Sequence, residues 1–164
     1  MKRIWLIMLM MCFLLGCSSQ TTVERVYDEL LLPAMAPTKE LTLALPPHAS
    51  RTVLSGEDGG QLYFCKDYTL TLQTTVAGDL NRTLQDLCGY GTEKLTLLET
   101  RSGGIKRYDW TWSSAAEAGT QVGRGTILDD GDYHYCVTAM ADEVVSGNLR
   151  QQWDALFDTV SLKR

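Results

Sequence analysis

The 164-residue sequence has only two histidines, and its five cysteines are widely spaced. It contains no C-x-x-C and no H-x-x-x-H, the spacings by which a single element offers two ligands to a metal. A G-x-S-x-G nucleophile turn is missing. So is the Gly-Lys-Ser/Thr ending of a phosphate loop, and the glycines at Gly119, Gly123 and Gly125 lead into a strand pattern, not the helix such a loop needs. Basic residues are outnumbered, 15 Lys and Arg against 20 Asp and Glu. A phosphate backbone would be repelled, so nucleic acid is not an expected partner. No resident cofactor is expected from this inventory.

Long apolar runs are also lacking. Ile4 to Leu15 is uncharged and apolar but holds 12 residues, where a membrane-spanning helix needs about 20. Lys2 and Arg3 precede it and the small residue Gly16 follows, the order of a secretory signal. The stretch Leu14-Leu15-Gly16-Cys17 resembles the cleavage site of bacterial lipoprotein precursors. That resemblance implies removal of residues 1–16, lipid on Cys17, and attachment through that lipid to the exported face of a cell membrane or outer membrane. Ordinary secretory cleavage near Gly16 or Ser18 is the alternative. A diacylglyceryl group buries two chains at about 0.8 kcal/mol per methylene, enough for a lasting tether.

Without Lys2 and Arg3 the mature chain carries 13 basic and 20 acidic residues, a net charge of −7. Residues 17–39 are expected to form the lipidated end and a tether, polar at first and interrupted by Pro33 and Pro37. Val23, Val26, Tyr27, Leu30 and Leu31 fall at helical spacing within it. Residues 40–164 are expected to form one globular domain. Leu41, Leu43 and Leu45 alternate as in a strand. Arg51 to Leu54 reads as another, and Ser55 to Gly60 as a turn. Gln61 to Thr75 reads as a strand bent near Lys66-Asp67. Asp79 is placed to cap a helix bearing Leu80, Leu84, Leu87 and Cys88, with Gly89 as its stop.

Four strands follow, over Leu95–Thr100, Ile105–Ser113, Gly123–Leu128 and Tyr133–Ala141. Ser102-Gly103-Gly104 and Asp129-Asp130-Gly131-Asp132 are expected as tight turns and Ser114 to Gln121 as a looser connection. Leu149, Trp153, Leu156, Phe157 and Val160 then mark a terminal amphipathic helix capped by Asn148. The fold class is α+β, an antiparallel meander covered by the terminal helix, with a second short helix. In Gly104–Arg107, Asp130–Cys136 and Trp153–Leu162 the pattern resembles the PsbP-like fold. That group spans photosystem accessory proteins, transport-related factors and bacterial lipoproteins, so the resemblance implies a fold and not a function.

Tyr108, Trp110 and Trp112 share one face of a strand, and Tyr133 and Tyr135 share a face of another. Exposed, they would make an aromatic platform for carbohydrate or peptide; the competing expectation is that they fill the sheet's inner face under the terminal helix. His134 and Cys136 point to one side of their strand, as a thiol and its base would in a small cysteine hydrolase or redox enzyme, or as a pair of metal ligands. Cys12 lies in the leader and Cys17 takes the lipid. Cys65, Cys88 and Cys136 are then either buried core thiols or one disulfide with one free thiol, in any of three pairings. Asp129, Asp130 and Asp132 lack the spacing and distal glutamate of a calcium loop and read as a solvated turn. The sequon Asn81-Arg82-Thr83 has no expected use in an exported bacterial protein. The leading expectation is a non-catalytic domain that binds another envelope protein or an extracellular ligand, with the cysteine enzyme and a lipid carrier as alternatives.

Overall fold

The computed structural model describes residues 36–54, 60–117 and 119–163. The leader, Cys17, the helical spacing over Val23–Leu31 and most of the turn after Leu54 lie outside them. In chain order the elements are β1 (Glu40–Thr42), β2 (Ser50–Val53), β3 (Gln61–Phe64), β4 (Thr69–Val76), α1 (Leu80–Cys88), β5 (Leu98–Ser102), β6 (Ile105–Ala116), β7 (Gly119–Asp129), β8 (Tyr133–Asp142), α2 (Glu143–Asp158) and β9 (Ser161–Lys163). Strands β2 to β8 form an antiparallel sheet in the order β2-β3-β4-β8-β7-β6-β5, and β1 pairs with β9 beside it. The fold is the expected α+β meander under a terminal helix.

Strand alternation sends residues to two faces. On one face Tyr63, Leu70, Leu72, Leu128, Tyr135, Val137 and Ala139 meet Leu149, Trp153, Leu156, Phe157 and Val160 of α2. Each fully buried large side chain contributes about 1.5–3 kcal/mol, so this stripe holds α2 in place. On the opposite face Tyr108, Trp110, Trp112, Ile127 and Cys136 pack with Leu84 of α1 and with Leu95 and Leu97. The sheet is therefore covered on both sides by helices from different parts of the chain.

Helix α1 has the expected ends: Asp79 accepts a hydrogen bond from the Asn81 N–H, and Gly89 adopts φ 78°, the left-handed conformation that ends a helix. Gly103 and Gly104, at φ 59° and 82°, make the two-residue turn between β5 and β6.

Several boundaries differ from the sequence reading. Gln61–Thr75 is a hairpin, with Tyr63 paired to Leu70 across a turn at Lys66-Asp67. The turn resets the alternation, so Leu70 and Leu72 share the face of Tyr63 although they are out of phase with it along the sequence. The connection between β6 and β7 is tight, Ala116 pairing directly with Gly119. Strand β1 ends at Thr42, leaving Leu45 exposed. Strand β5 begins only at Leu98. Helix α2 starts at Glu143 straight out of β8, with Asp142 at its N-cap and Asn148 in its body.

Candidate binding groove

The thiol and imidazole are both placed in the core. Cys136 is 1% exposed, and its Sγ donates to the His134 carbonyl oxygen at 3.7 Å. Burial without a compensating charge pushes its pKa up to about 12, so at neutral pH it is a thiol and not a nucleophile. His134 is 2% exposed, and its Nδ1 lies 2.9 Å from Thr83 Oγ1 on α1. Burial also lowers the His134 pKa, a trend opposed by Asp129 and reinforced by Lys106. No hydrogen bond joins the imidazole to the thiol. Cys65 and Cys88 are half-buried, and all three thiols are free. Among the described residues no three His, Cys, Asp or Glu side chains form a metal cluster.

The aromatic candidates are core as well. Tyr108, Trp110 and Trp112 lie 8%, 3% and 9% exposed, under α1 and the segment that follows it. The expectation of burial under the terminal helix names the wrong cover, because β6 turns its aromatic side away from α2. Tyr135 is fully buried on the α2 side, its hydroxyl accepting the Lys39 N–H at 2.8 Å, and Tyr133 beside it is half-buried. These rings present no platform to solvent.

The acidic turn is held by its own partners. Asp130 accepts the amides of Asp132 and Tyr133 and the Lys39 ammonium, the last at 2.6 Å. Burial works against its charge, yet Lys39 and the two amides hold the carboxyl below the usual carboxylate range. Lys39, just ahead of β1, is thereby clamped to the β7–β8 turn.

The open site lies along the flank of α2, where the polar side of β6 faces the helix. A groove of about 820 Å³ is lined by Thr96, Thr111, Ser113, Arg124, Arg150 and Trp153, with Asp109 and Asp154 at its walls. Its base is a network of paired charges. Arg107 makes two bonds to Asp109, at 2.7 and 2.9 Å, and donates to the Phe157 carbonyl at 3.0 Å, while Thr126 donates to the same carboxylate. A cation on the last carbonyls of α2 also suits the helix dipole. Arg124 pairs with Asp154 and lies 4.8 Å over the Phe157 ring. Both groove acids are thus neutralised by arginines, whereas exposed Arg150 has no ion-pair partner among the described residues.

This groove was not read from the sequence. Its residues alternate with the aromatics of β6, and the signal was in the neglected half of that alternation: Arg107, Asp109, Thr111 and Ser113, an unbroken polar face on a long strand.

With this architecture in hand, comparison with solved structures is informative about fold. The chain superposes on the cyanobacterial PsbP of Synechocystis sp. PCC 6803 with a TM-score of 0.56, at 8% identity over 77% of this chain and 95% of that one. The fold is PsbP-like. LpqN of Mycobacterium tuberculosis, described as involved in cell envelope biogenesis, superposes at a TM-score of 0.51, with 10% identity over 77% of this chain and 85% of its own. A Bacteroides thetaiotaomicron protein matches at 0.52 and 11% identity over 76% of this chain, which spans 45% of that longer protein. No protein-family model matches the sequence, and no curated protein sequence does. At these identities the PsbP-like likeness concerns the backbone alone. No helix among the described residues is long and apolar enough to cross a membrane.

Proposed function

We propose that this chain is an envelope lipoprotein, carried on the exported face of a membrane by lipid on Cys17, whose PsbP-like domain acts as a non-catalytic accessory module. The observation that carries the reading is a pairing: a lipoprotein-type cleavage sequence precedes a domain whose one thiol–imidazole pair is sealed in its core. With Cys136 protonated and His134 enclosed, the chemistry of a cysteine enzyme has no access to substrate. The involvement of LpqN, a neighbour in fold, in cell envelope biogenesis supports the same location. The partner is another envelope protein or an extracellular ligand, and the groove beside α2 is where it is received. Residues 17–39 act as spacer, giving the domain reach from the membrane.

Metabolic labelling with an alkyne fatty acid, followed by membrane fractionation, tests the anchor. The wild-type chain should take up label and sediment with membranes; Cys17→Ala should do neither. Label on the Cys17→Ala chain, or its full retention on membranes, would remove the basis of the reading.

A further inference from the structure

Strand β6 is longer than its outer neighbour. It runs from Ile105 to Ala116, but β5 pairs only with Ile105 to Asp109. Beyond Asp109 the strand is an edge. The two-residue turn makes Ser102 and Ile105 a mutually hydrogen-bonded pair, so every second residue from Ile105 directs its backbone N–H and C=O outward. Past the end of β5 these are Thr111, Ser113 and Ala115. The tight turn at the other end gives the same phase, because Ala116 must face β7. So does the bond from the Tyr90 hydroxyl to the Ser113 carbonyl, 2.9 Å from the outer side. None of the three residues has a backbone partner on that side among the described residues, and all three are exposed.

The edge and the groove are one surface. Thr111 and Ser113 belong to both, turning side chains into the groove and peptide groups outward. Among the described residues the chain that leads into β5 makes no backbone hydrogen bond to them: Leu95 and Leu97 pack on the opposite face of the sheet, and Thr96 lines the groove with them. We infer that the overhanging edge of β6 receives an extended acidic peptide from a partner protein, added as a strand in line with β5, with alternate side chains entering the groove against α2. Main-chain pairing would supply affinity and the groove would supply selectivity. The unpaired cation Arg150 calls for an acidic side chain, and the indole of Trp153 offers an apolar wall beside it. A second copy of this chain fits less well. An overhang of seven residues is about 23 Å long and one strand, about 5 Å, wide, which is far from the roughly 800 Å² per partner of a stable pair.

The inference rests on the domain being a binding module, and its test is independent of the anchor. The full-length chain, in detergent, is mixed with saturating acetyl-Thr-Glu-Val-Glu-Val-Glu-Thr-amide or with its fully N-methylated twin, and amide hydrogen exchange is read across residues 110–116. The unmodified peptide should slow exchange there about tenfold, and the N-methylated twin should leave it unchanged. Ser113→Pro removes an outward N–H without touching the β6–β7 ladder and should abolish the protection, while Ser113→Ala keeps it. Arg150→Glu should reverse the preference toward a peptide with Lys in place of Glu. Equal protection by both peptides would show groove filling without strand addition and would overturn the inference. So would protection by neither, or protection that grows with protein concentration in the absence of peptide, which would assign the edge to a second copy. Any of these results, obtained on a chain that still takes up lipid at Cys17, would leave the proposed location and accessory role standing.

Discussion

Replacing Gly125 by alanine tests the account of the core most directly. Gly123 and Gly125 of β7 stand opposite Trp112 and Trp110 of β6. The two indoles stack with centroids 6.1 Å apart and planes 25° apart, lying flat across β7. A methyl group on Gly125 would fall among Cζ2, Cη2 and Cε2 of Trp110, well inside contact distance, and the same relation holds between Gly123 and Trp112. The obstructing atoms belong to a rigid ring that is 3% exposed and closed in by α1, so the indole has nowhere to swing. Relief of strand entropy on Gly→Ala would favour the variant by about 0.5–1 kcal/mol. Overpacking costs about 1–3 kcal/mol and occasionally more, and partial expulsion of an indole adds to it. A net loss of about 2–3 kcal/mol is expected for Gly125→Ala, and a smaller one, about 1–2 kcal/mol, for Gly123→Ala, because Trp112 is the less deeply buried of the two rings.

Urea unfolding followed by far-UV circular dichroism reads this as a midpoint shift of about 1.5 M at a slope near 1.5 kcal/mol/M, with the slope unchanged. Gly147→Ala is the control. It sits in the body of α2 with nothing within 4 Å of an added Cβ, and should stabilise by about 0.5–1 kcal/mol through helix propensity alone. Combining Gly125→Ala with Trp110→Leu should recover about 1–2 kcal/mol relative to the sum of the single changes. If Gly125→Ala unfolded within about 0.5 kcal/mol of wild type, or showed no coupling to Trp110, the flat seating of the indoles would be wrong.

The remaining predictions concern buried charge. His134 is held neutral in the fold with its pKa lowered by burial, among Asp129, Lys106 and Asp130 on its own side and Thr83 from α1. The unfolded chain takes up its proton first, so the stability His134 confers is complete above the ordinary imidazole pKa of about 6.5 and declines as pH falls through it. The stability difference between wild type and His134→Gln should shrink from pH 7.5 to pH 5 in paired urea titrations, and a widening difference would refute the assignment. Arg107→Met removes two bonds to Asp109 and the one to the Phe157 carbonyl. It should cost about 2–4 kcal/mol, with Asp109→Asn in the same background restoring part of it by discharging the stranded carboxylate; calorimetric melting of both variants checks this.

How far the sequence could be read depended on whether a signal was local. Asp79 and Gly89 bracket α1 as read, because a capping carboxylate and a left-handed stop are properties of a few adjacent residues. The α2 stripe from Leu149 to Val160 was legible for the same reason. The start of α2 was not. Ser146, Gly147 and Asn148 look like a break, but β8 delivers the chain into the helix at Glu143, and packing farther along tolerates the glycine. The hairpin at Lys66-Asp67 was hidden because two strands with one buried face each, joined by a turn, mimic a single irregular strand. Which face of β6 would meet which helix could not be read at all: alternation separates aromatic from polar residues without saying what covers them.

That last ambiguity bears on where this protein meets a partner. In a sheet covered on both faces, large rings are drawn into the two interiors, as Tyr108, Trp110, Trp112 and Tyr135 are here. The aromatic side of β6 therefore reports how the domain is held together. Recognition is left to groups the fold cannot satisfy for itself. Asp109 has Arg107, Asp154 has Arg124, and Asp130 has Lys39, so the conspicuous charges of the candidate site and the acidic turn are spent on structure. The outward amides of an overhanging strand, its Thr111 and Ala115 carbonyls, and an arginine beside them without an acid, are not. An unsatisfied backbone edge is either protected from association or used for it. At Thr111 to Ala115 strand β6 carries neither a proline nor a lysine, and among the described residues only the Tyr90 hydroxyl, on the Ser113 carbonyl, bonds the outer side of its backbone; this favours use.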